Sequence, residues 1–212
     1  METLEEVKSR IEAAIPGALL EILVNGSPCN QRSLLINSGL ALMIARFLRD
    51  DPKLRFDYLS NLTGVDWPEK IVREKTLVRR VIEGEKNDVF EIVEKRQGGY
   101  LEAVYHLYSM DLKHGPLVMR MRTKDRSDQT HLPSLTPIWR SAELQEREVF
   151  DLYGVIFDGH PDLRRILMWD GFQDHPMRRD YVEPDDYEYE PTPHDKVLLK
   201  ARNHNSTESK KT

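Results

Sequence analysis

The chain has 212 residues, of which 39% are hydrophobic and 32% are charged, and its formal net charge is −5. This length suffices for one substantial core with a tail, or for two small lobes. No apolar run approaches the roughly 18 residues that a transmembrane helix needs, and the first ten residues are too mixed in charge for a signal peptide. The negative net charge and the lack of a basic stripe argue against nucleic acid as a partner.

The single cysteine, Cys29, lies in a polar turn at residues 26–30. One thiol cannot form an internal disulfide, and an iron–sulfur cluster usually takes about four cysteine ligands. No glycine-rich phosphate loop of either common type is present. We therefore interpret Cys29 as an ordinary thiol, and the residues indicate neither a cluster nor a nucleotide site.

Two helices are predicted in the N-terminal quarter of the chain. Thr3 and Glu6 can form a capping box, and Pro16 stops the first helix. The second helix starts near Ser38 and is closed by Pro52. Their apolar positions are Leu4, Val7, Ile11 and Ile15 in the first helix, and Leu40, Met43, Ile44, Phe47 and Leu48 in the second.

Strand signals dominate the rest of the first 122 residues. Phe56, Leu59 and Leu62 are spaced for one helical turn, which leads into a short strand. Near residue 120, apolar and basic side chains alternate as in a half-buried strand. The predicted strands span residues 19–24, 33–36, 65–67, 100–110 and 117–122.

Residues 69–98 form a highly charged segment inside this pattern. They contain β-type runs at residues 76–82 and 89–94, separated by a polar turn at 84–88. We interpret the segment as an added β-hairpin or a long loop. The surrounding layout is α+β, with two N-terminal helices packed on a mostly antiparallel sheet.

A third helix is predicted at about residues 137–153. Thr136 and Pro137 suit the N-cap and the first turn, and Gly154 suits the left-handed C-cap. Most of the apolar side chains fall within one wide arc, and Glu146 projects into the middle of that arc. The opposite side of the helix carries Arg140, Arg147, Glu148 and Asp151.

An acid inside an apolar stripe is costly unless it is paired or hydrogen-bonded, so Glu146 should have a specific partner. We favour an ion pair that locks the helix to the loop that follows it. The alternative is a catalytic or metal-binding carboxylate, because Glu148, Asp151 and His160 are close in sequence. Glu146 and Glu148, however, point to different sides of a helix and do not converge on one metal.

Two similar polar clusters follow the helix, at residues 159–165 and 175–180. Each contains a His-Pro pair, His160 or His175, which favours an extended histidine. Each then presents two arginines, which suit bidentate pairing with carboxylates, although solvated arginines remain the plain alternative. Arginines interleaved with Met, Trp and Phe have the composition of a protein interface. The four arginines are Arg164, Arg165, Arg178 and Arg179.

Past Tyr181 the chain is first acidic and tyrosine-rich and then basic, and prolines at 184, 191 and 193 block a long regular element. We expect an extended arm without a core of its own, laid on a partner, with a disordered end. The predicted organisation is an α+β core domain at residues 1–153 and an extended C-terminal interface arm at 154–212.

Three stretches carry a long, gapped pattern: EREVFDLY (146–153), GVIFDGHPDLRRILM (154–168) and GFQDHPMRRDY (171–181). The pattern resembles the C subunit of bacterial NADH-quinone oxidoreductase, the counterpart of a peripheral-arm subunit of mitochondrial complex I. Weaker similarity extends through residues 59–68, 103–110 and 133–139, so the resemblance covers most of residues 1–190. This chain departs from the family pattern in its long segment 69–98, and in Glu143-Leu144-Gln145, where an aromatic residue is expected.

The resemblance implies a non-catalytic peripheral subunit of a proton-translocating complex, which passes electrons from NADH through FMN and iron–sulfur clusters to quinone. It implies that FMN and the clusters lie in partner subunits, and that this chain holds no cofactor or metal. The implied partners are chiefly the quinone-site subunit and neighbouring iron–sulfur subunits, on the cytoplasmic side of the inner membrane, which the chain contacts only through the complex. The residues assigned to partner binding are Glu146, Arg147, Glu148, Asp151, His160, Arg164, Arg165, His175, Arg178 and Arg179.

Other functions remain open at this point. A related membrane-bound hydrogenase, or a dehydrogenase with another electron donor, carries similar subunits. A stand-alone metal-dependent hydrolase would use Glu146, Asp151, His160 and His175. A nucleic-acid-binding module would use the arginine pairs, although the acids between them disfavour it.

Overall fold

The computed structural model describes residues 2–82 and 85–182. Within these ranges the helices are α1 Leu4–Ala14, α2 Ala41–Asp50 and α3 Ala142–Tyr153. The strands are β1 Leu20–Val24, β2 Arg32–Ile36, β3 Tyr58–Trp67, β4 Lys70–Ile82, β5 Glu85–Gln97, β6 Tyr100–Ser109, β7 His114–Arg122, β8 His131–Pro133 and β9 Ile156–Asp158. None of the helices in these ranges has the length and apolarity needed to cross a bilayer.

Five strands form one mixed sheet in the order β1-β2-β7-β6-β3. Its only parallel pair is β2 with β7, and the other neighbours are antiparallel. Strands β4 and β5 form a separate antiparallel hairpin, and β8 pairs with β9 in parallel. The predicted α+β class, with a mostly antiparallel sheet, is confirmed. The short β8–β9 pair was not predicted.

The two N-terminal helices follow the predicted signals with one change of face. The Thr3 hydroxyl accepts the Glu6 N–H, and the Glu6 carboxylate accepts the Thr3 N–H at 2.7 Å, so the capping box is confirmed. A 3₁₀ turn at Ser38–Leu40 precedes α2. The spacing of the apolar residues predicted that Met43 is buried, but Met43 is exposed. The buried face of α2 includes two alanines, and it therefore lies to one side of Met43. The buried residues of α2 are Ala41, Ile44, Ala45 and Leu48.

The prediction of a helical turn at residues 56–62 is wrong, because most of that segment belongs to β3. The pairing register of β3 with β6 shifts between Leu59 and Asn61, which marks a β-bulge at Ser60. The extra residue brings Leu59 and Leu62 to the buried face although they are three positions apart. A bulge in a strand can therefore imitate the spacing of a helix.

Helix α3 begins at Ala142, about five residues later than predicted. The segment before it forms turns, in which the Leu135 carbonyl accepts the N–H groups of both Ile138 and Trp139. The Trp139 indole N–H donates to the Phe56 carbonyl at 2.8 Å, a long-range bond that the local sequence does not reveal. The C-terminal cap is confirmed, since Gly154 has a φ of +77°.

The charged segment 69–98 is a hairpin, which was one of its two predicted forms. Its pairing runs from Lys70 opposite Gln97 to Ile82 opposite Glu85, so the predicted turn at 84–88 is wrong from residue 85 onward. The prediction placed the strand ends where the apolar β-type runs end. The strands in fact continue through charged residues, for example where Arg73 and Glu94 form a cross-strand ion pair at 2.9 Å.

Helix α3 packs closely on β3. A Cβ atom on Gly64 would lie 2.4 Å from the Tyr153 ring, so the absence of a side chain lets the helix approach the strand. The Gln145 amide oxygen accepts the Leu62 N–H next to the bulge. Gln145 belongs to the triplet in which the resemblance predicted an aromatic residue. In this chain a hydrogen bond to the strand helps to dock that part of the helix.

We predict that Gly64→Ala lowers the free energy of unfolding by about 1–3 kcal/mol, because the added methyl group overpacks against the Tyr153 ring. Urea unfolding of the purified chain measures the change. Gly39→Ala is the matched control, since nothing lies within 4 Å of a Cβ atom built there. Equal effects of the two substitutions would contradict the close contact of α3 with β3.

Candidate functional site

Residues 159–182 follow β9 and lie along α3; we call this segment the strap. It contains both His-Pro clusters predicted from the sequence. Two acids of α3, Glu146 and Asp151, are fully buried. Their hydrogen bonds show how the helix holds the segments on either side of it.

Glu146 binds the segment that precedes α3. One carboxylate oxygen accepts the Leu135 N–H at 2.7 Å, and the other accepts the Ser134 hydroxyl at 2.6 Å and the Thr136 hydroxyl at 3.2 Å. Burial raises the pKa of Glu146, and these donors only partly offset that effect. The predicted burial and the specific partner are confirmed. The predicted ion pair with the following loop is wrong, since the donors are hydroxyl and backbone groups of the preceding one.

Asp151 binds the strap. Three successive backbone N–H groups, those of Ile166, Leu167 and Met168, donate to one carboxylate oxygen at 2.7–3.0 Å. The Arg165 guanidinium donates to the other oxygen at 2.7 Å. Burial alone would raise the pKa of Asp151, but the backbone donors and the guanidinium outweigh it and hold the pKa below the ordinary aspartate value.

The second cluster of the strap caps the C-terminal end of α3. The His175 ring donates from Nδ1 to the Asp151 carbonyl at 2.9 Å, and Arg178 donates from Nε to the Tyr153 carbonyl at 2.7 Å. Cationic and N–H groups are favourable there, because the last carbonyls of a helix lack partners. Burial lowers the pKa of His175. Gly154 leaves room for these two side chains, since a Cβ atom there would lie 2.5 Å from the His175 ring.

The first cluster, at residues 159–165, is held by a side chain and a backbone carbonyl of α3. Arg147 donates to the carbonyls of Arg164 and Arg165 at 3.1 and 3.0 Å. The His160 ring donates from Nε2 to the Glu143 carbonyl at 2.8 Å. His160 therefore has the plain role of a hydrogen bond to backbone.

Two of these residues lie in an unexpected environment. Arg147 and Asp151 were predicted on the side of α3 away from the apolar arc, yet both are buried. The strap covers that side of the helix and supplies their partners. Helical periodicity alone cannot indicate this, because it does not show which segment returns to cover a polar face.

The other predicted residues face solvent. Arg164 is exposed and pairs with Asp162 at 2.9 Å. Glu148 and Arg179 are also exposed, and their charged groups form no ion pair within residues 2–82 and 85–182. These three side chains are therefore accessible to another molecule, whereas those of Glu146 and Asp151 are occupied inside the chain.

A third buried carboxylate, Asp66 on β3, was missed from the sequence. Both of its oxygens accept from the Arg126 guanidinium at 2.6 Å, and one also accepts the Arg179 N–H at 2.8 Å. Arg126 further donates to Asp180 at 2.9 Å, which fixes the end of the strap. Burial would raise the pKa of Asp66, but Arg126 and the Arg179 N–H lower it. Its position two residues after Gly64, on the inward-facing side of β3, was the available signal.

The proposed metal-ligand and hydrolase residues have separate partners. Glu146 is engaged by the segment before α3, and Asp151 by the strap. His160 and His175 each donate to a backbone carbonyl of α3. In the described part of the chain, no three His, Cys, Asp or Glu side chains are placed to hold a metal ion.

The family model described as respiratory-chain NADH dehydrogenase, 30 Kd subunit, matches residues 34–187, a range that contains α3, the strap and Asp66. The chain belongs to this family. The fold is also found in a solved structure. A chain in the structure of the membrane-bound sulfane sulfur reductase, an archaeal respiratory membrane complex, aligns with a TM-score of 0.56 and 22% identity, over 85% of this chain and 86% of that one.

Curated relatives in the family are named as the C subunit of NADH-quinone oxidoreductase. The protein from Caulobacter vibrioides is 36% identical over 181 residues, which cover 85% of this chain and 74% of the relative. A C subunit from Rhizobium meliloti, numbered 2 in its name, is 39% identical over 137 residues, which cover 64% of this chain and 58% of that relative. The matched part of the chain therefore spans 58% to 74% of the length of these two relatives. The family predicted by resemblance is confirmed.

We predict that Asp151→Asn lowers the free energy of unfolding by about 3 kcal/mol at pH 7, because it leaves the Arg165 guanidinium in a partly buried site without its counter-charge. Glu146→Gln should cost less than about 1 kcal/mol, since its amide can still accept from Leu135 and donate to the Ser134 hydroxyl. Urea unfolding of both variants measures the difference. A larger loss in Glu146→Gln would contradict the assigned roles.

The lowered pKa values of Asp151 and Asp66 predict a dependence of stability on pH. A carboxylate whose folded pKa lies below its unfolded value of about 3.9 stabilises the fold above that value, and the stabilisation is lost as the pH falls through the folded pKa. The difference in free energy of unfolding between wild type and Asp151→Asn should therefore shrink when the pH is lowered from about 5 to about 2. A constant difference across this range would show that the charge of Asp151 is not what holds the strap.

Proposed function

We propose that this chain is a non-catalytic peripheral subunit of an NADH-quinone oxidoreductase, and that its strap docks on neighbouring subunits. The observation that carries the proposal is the Asp151 carboxylate, which holds the backbone of residues 166–168 while the side chains of Ile166 and Leu167 remain exposed. A segment fixed from inside and apolar outside is suited to binding another protein surface.

The buried acids support a structural role rather than a catalytic one. Catalytic carboxylates touch a substrate or a cofactor, whereas the oxygens of Glu146, Asp151 and Asp66 accept hydrogen bonds from the chain itself. Each of these carboxylates joins its own helix or strand to another segment of the chain. We propose that the chain holds neither FMN, an iron–sulfur cluster nor a metal, and that such cofactors lie in partner subunits.

The exposed part of the strap supports the docking role. Leu167 and Met177 are 58% and 54% exposed, and both donate backbone hydrogen bonds to α3. Arg164 and Arg179 are exposed nearby in sequence and can pair with carboxylates of a partner. Exposed apolar residues flanked by arginines are typical of protein interfaces.

Membership of the family supports a proposal for the partner and the location. Relatives named as the C subunit of NADH-quinone oxidoreductase belong to a complex that passes electrons from NADH to quinone. We propose that this chain docks on the subunit that builds the quinone site and on neighbouring iron–sulfur subunits. This would place it on the cytoplasmic side of the inner membrane, with membrane contact only through the complex. Mass spectrometry of the intact complex would identify these neighbours, and a hydrogenase or another dehydrogenase in their place would change the parent complex.

We predict that Leu167→Asp and Met177→Asp each lower the recovery of partner subunits with the tagged chain by about tenfold or more. A buried charge at the centre of an interface removes hot-spot contacts of about 2 kcal/mol or more. Affinity purification from membranes, followed by quantitative mass spectrometry, measures the recovery. The free energy of unfolding of the isolated chain should not change, since both side chains are exposed in it.

Leu19→Asp provides the matched control, because Leu19 is also a largely exposed apolar residue but precedes β1, away from the strap in sequence. It should leave the recovery of partner subunits unchanged. Normal assembly of both strap variants would show that the strap is not the docking segment. A loss of assembly in the control alone would move the interface to the β1 edge of the sheet.

A further inference from the structure

The hairpin of β4 and β5 lies outside the five-stranded sheet. Within the described residues these strands pair only with each other, and no third strand extends their sheet. An isolated two-stranded hairpin is marginally stable in water, because neither face is covered. A hairpin with strands of 13 residues therefore needs a further contact.

The half of the hairpin nearest the body of the protein is basic. We call residues 70–75 and 92–97 the hairpin base; it contains five basic and two acidic residues, in a chain whose net charge is negative. Ile71 and Ile92 are 55% and 64% exposed there. Ile71 lies opposite Arg96 and Ile92 lies opposite Lys75 in the pairing register, so apolar and cationic side chains share one face.

The strap ends beside this base. Asp180 accepts from Arg126, which is bonded to Asp66 near the end of β3. Arg126 also covers the residues that enter and leave the hairpin. A Cβ atom on Gly99 would lie 2.4 Å from the Arg126 side chain and 2.9 Å from the Glu69 nitrogen. The chain thus leaves the strap next to the hairpin base.

The next eight residues, 183–190, have the complementary composition. They contain five acidic residues, two tyrosines and no basic residue. Fully extended, eight residues span up to about 28 Å, and the six residues of each base strand span about 20 Å. We propose that residues 183–190 bind the hairpin base, with their carboxylates on its basic residues and their tyrosines against Ile71 and Ile92. The sequence predicted that this acidic segment lies on a partner; in this proposal it lies on the hairpin base of its own chain.

The contact lies within the free chain, so it is independent of the docking role of the strap. It ties the long hairpin to the core through the strap and its two carboxylate anchors, Asp151 and Asp66. Several exposed ion pairs and two aromatic contacts supply the attraction, so it should weaken as salt is added.

Hydrogen–deuterium exchange of the free full-length chain tests the proposal. Three variants are compared with wild type: a tail variant with Asp185→Lys, Asp186→Lys and Glu188→Lys, a base variant with Lys75→Glu and Arg96→Glu on the face of Ile71 and Ile92, and the two combined. The tail variant and the base variant should each raise the exchange rate of the hairpin-base amides about threefold to tenfold. The combined variant should restore protection, because it exchanges the charges of the two sides. The difference between wild type and the tail variant should vanish in about 0.5 M salt.

The charge-matched control carries three substitutions on α1, β1 and α2: Glu12→Lys, Glu21→Lys and Asp50→Lys. It should leave the exchange rate of the hairpin-base amides unchanged. Peptides of β6 and β7 report whether each variant retains the core. Unchanged hairpin exchange in the tail variant, or no recovery in the combined variant, would overturn the proposal. Protection that arises only when neighbouring subunits are added would instead assign the hairpin base to an acidic surface of one of them.

Discussion

A buried carboxylate needs fixed hydrogen-bond donors in place of the water molecules that it has lost. The strap supplies these donors to Asp151. Three backbone N–H groups and the Arg165 guanidinium converge on it, which leaves residues 165–168 with very few alternative conformations. The strap has a small aromatic cluster of its own, formed by Trp169, Phe172 and Tyr181, and Asp151 joins the residues just before this cluster to α3. The capping of α3 by His175 and Arg178 follows, because both reach the helix end only when the strap lies along it.

Two acids five residues apart give α3 a different role from that of an ordinary core helix. Glu146 binds the segment before the helix and Asp151 binds the segment after it, so one rigid helix orders two irregular segments. Their environments differ in kind. Burial raises the pKa of Glu146, which receives only neutral donors, whereas three backbone N–H groups and a guanidinium outweigh burial and lower the pKa of Asp151. Glu146, Arg147 and Asp151 of the family pattern thus have hydrogen-bond partners within the chain.

Local signals in the sequence predicted the local features well. The Thr3 capping box, the left-handed Gly154 and the burial of Glu146 in the third helix depend on residues close in the chain. Several of the errors originate in long-range contacts. The Ser60 bulge depends on the register with β6, the late start of α3 on the bond from Trp139 to Phe56, and the burial of Asp151 on a strap that follows in the chain. Asp66 was missed for the same reason, since its partners are about 60 and 113 residues away.

The same contacts determine how the family motif should be interpreted at an interface. Of the ten residues assigned to partner binding, the side chains of Glu146 and Asp151 are bound within the chain, while Glu148, Arg164 and Arg179 face solvent. A substitution of either kind can reduce assembly, but by different routes. Loss of a buried acid raises the conformational freedom of the strap. Part of the binding free energy must then offset the entropy lost when the partner orders the strap. Loss of an exposed side chain removes a contact and leaves the free chain unchanged. Stability and assembly must both be measured to distinguish these two routes. A measurement of assembly alone would make a buried residue that only holds the strap look like a residue of the interface.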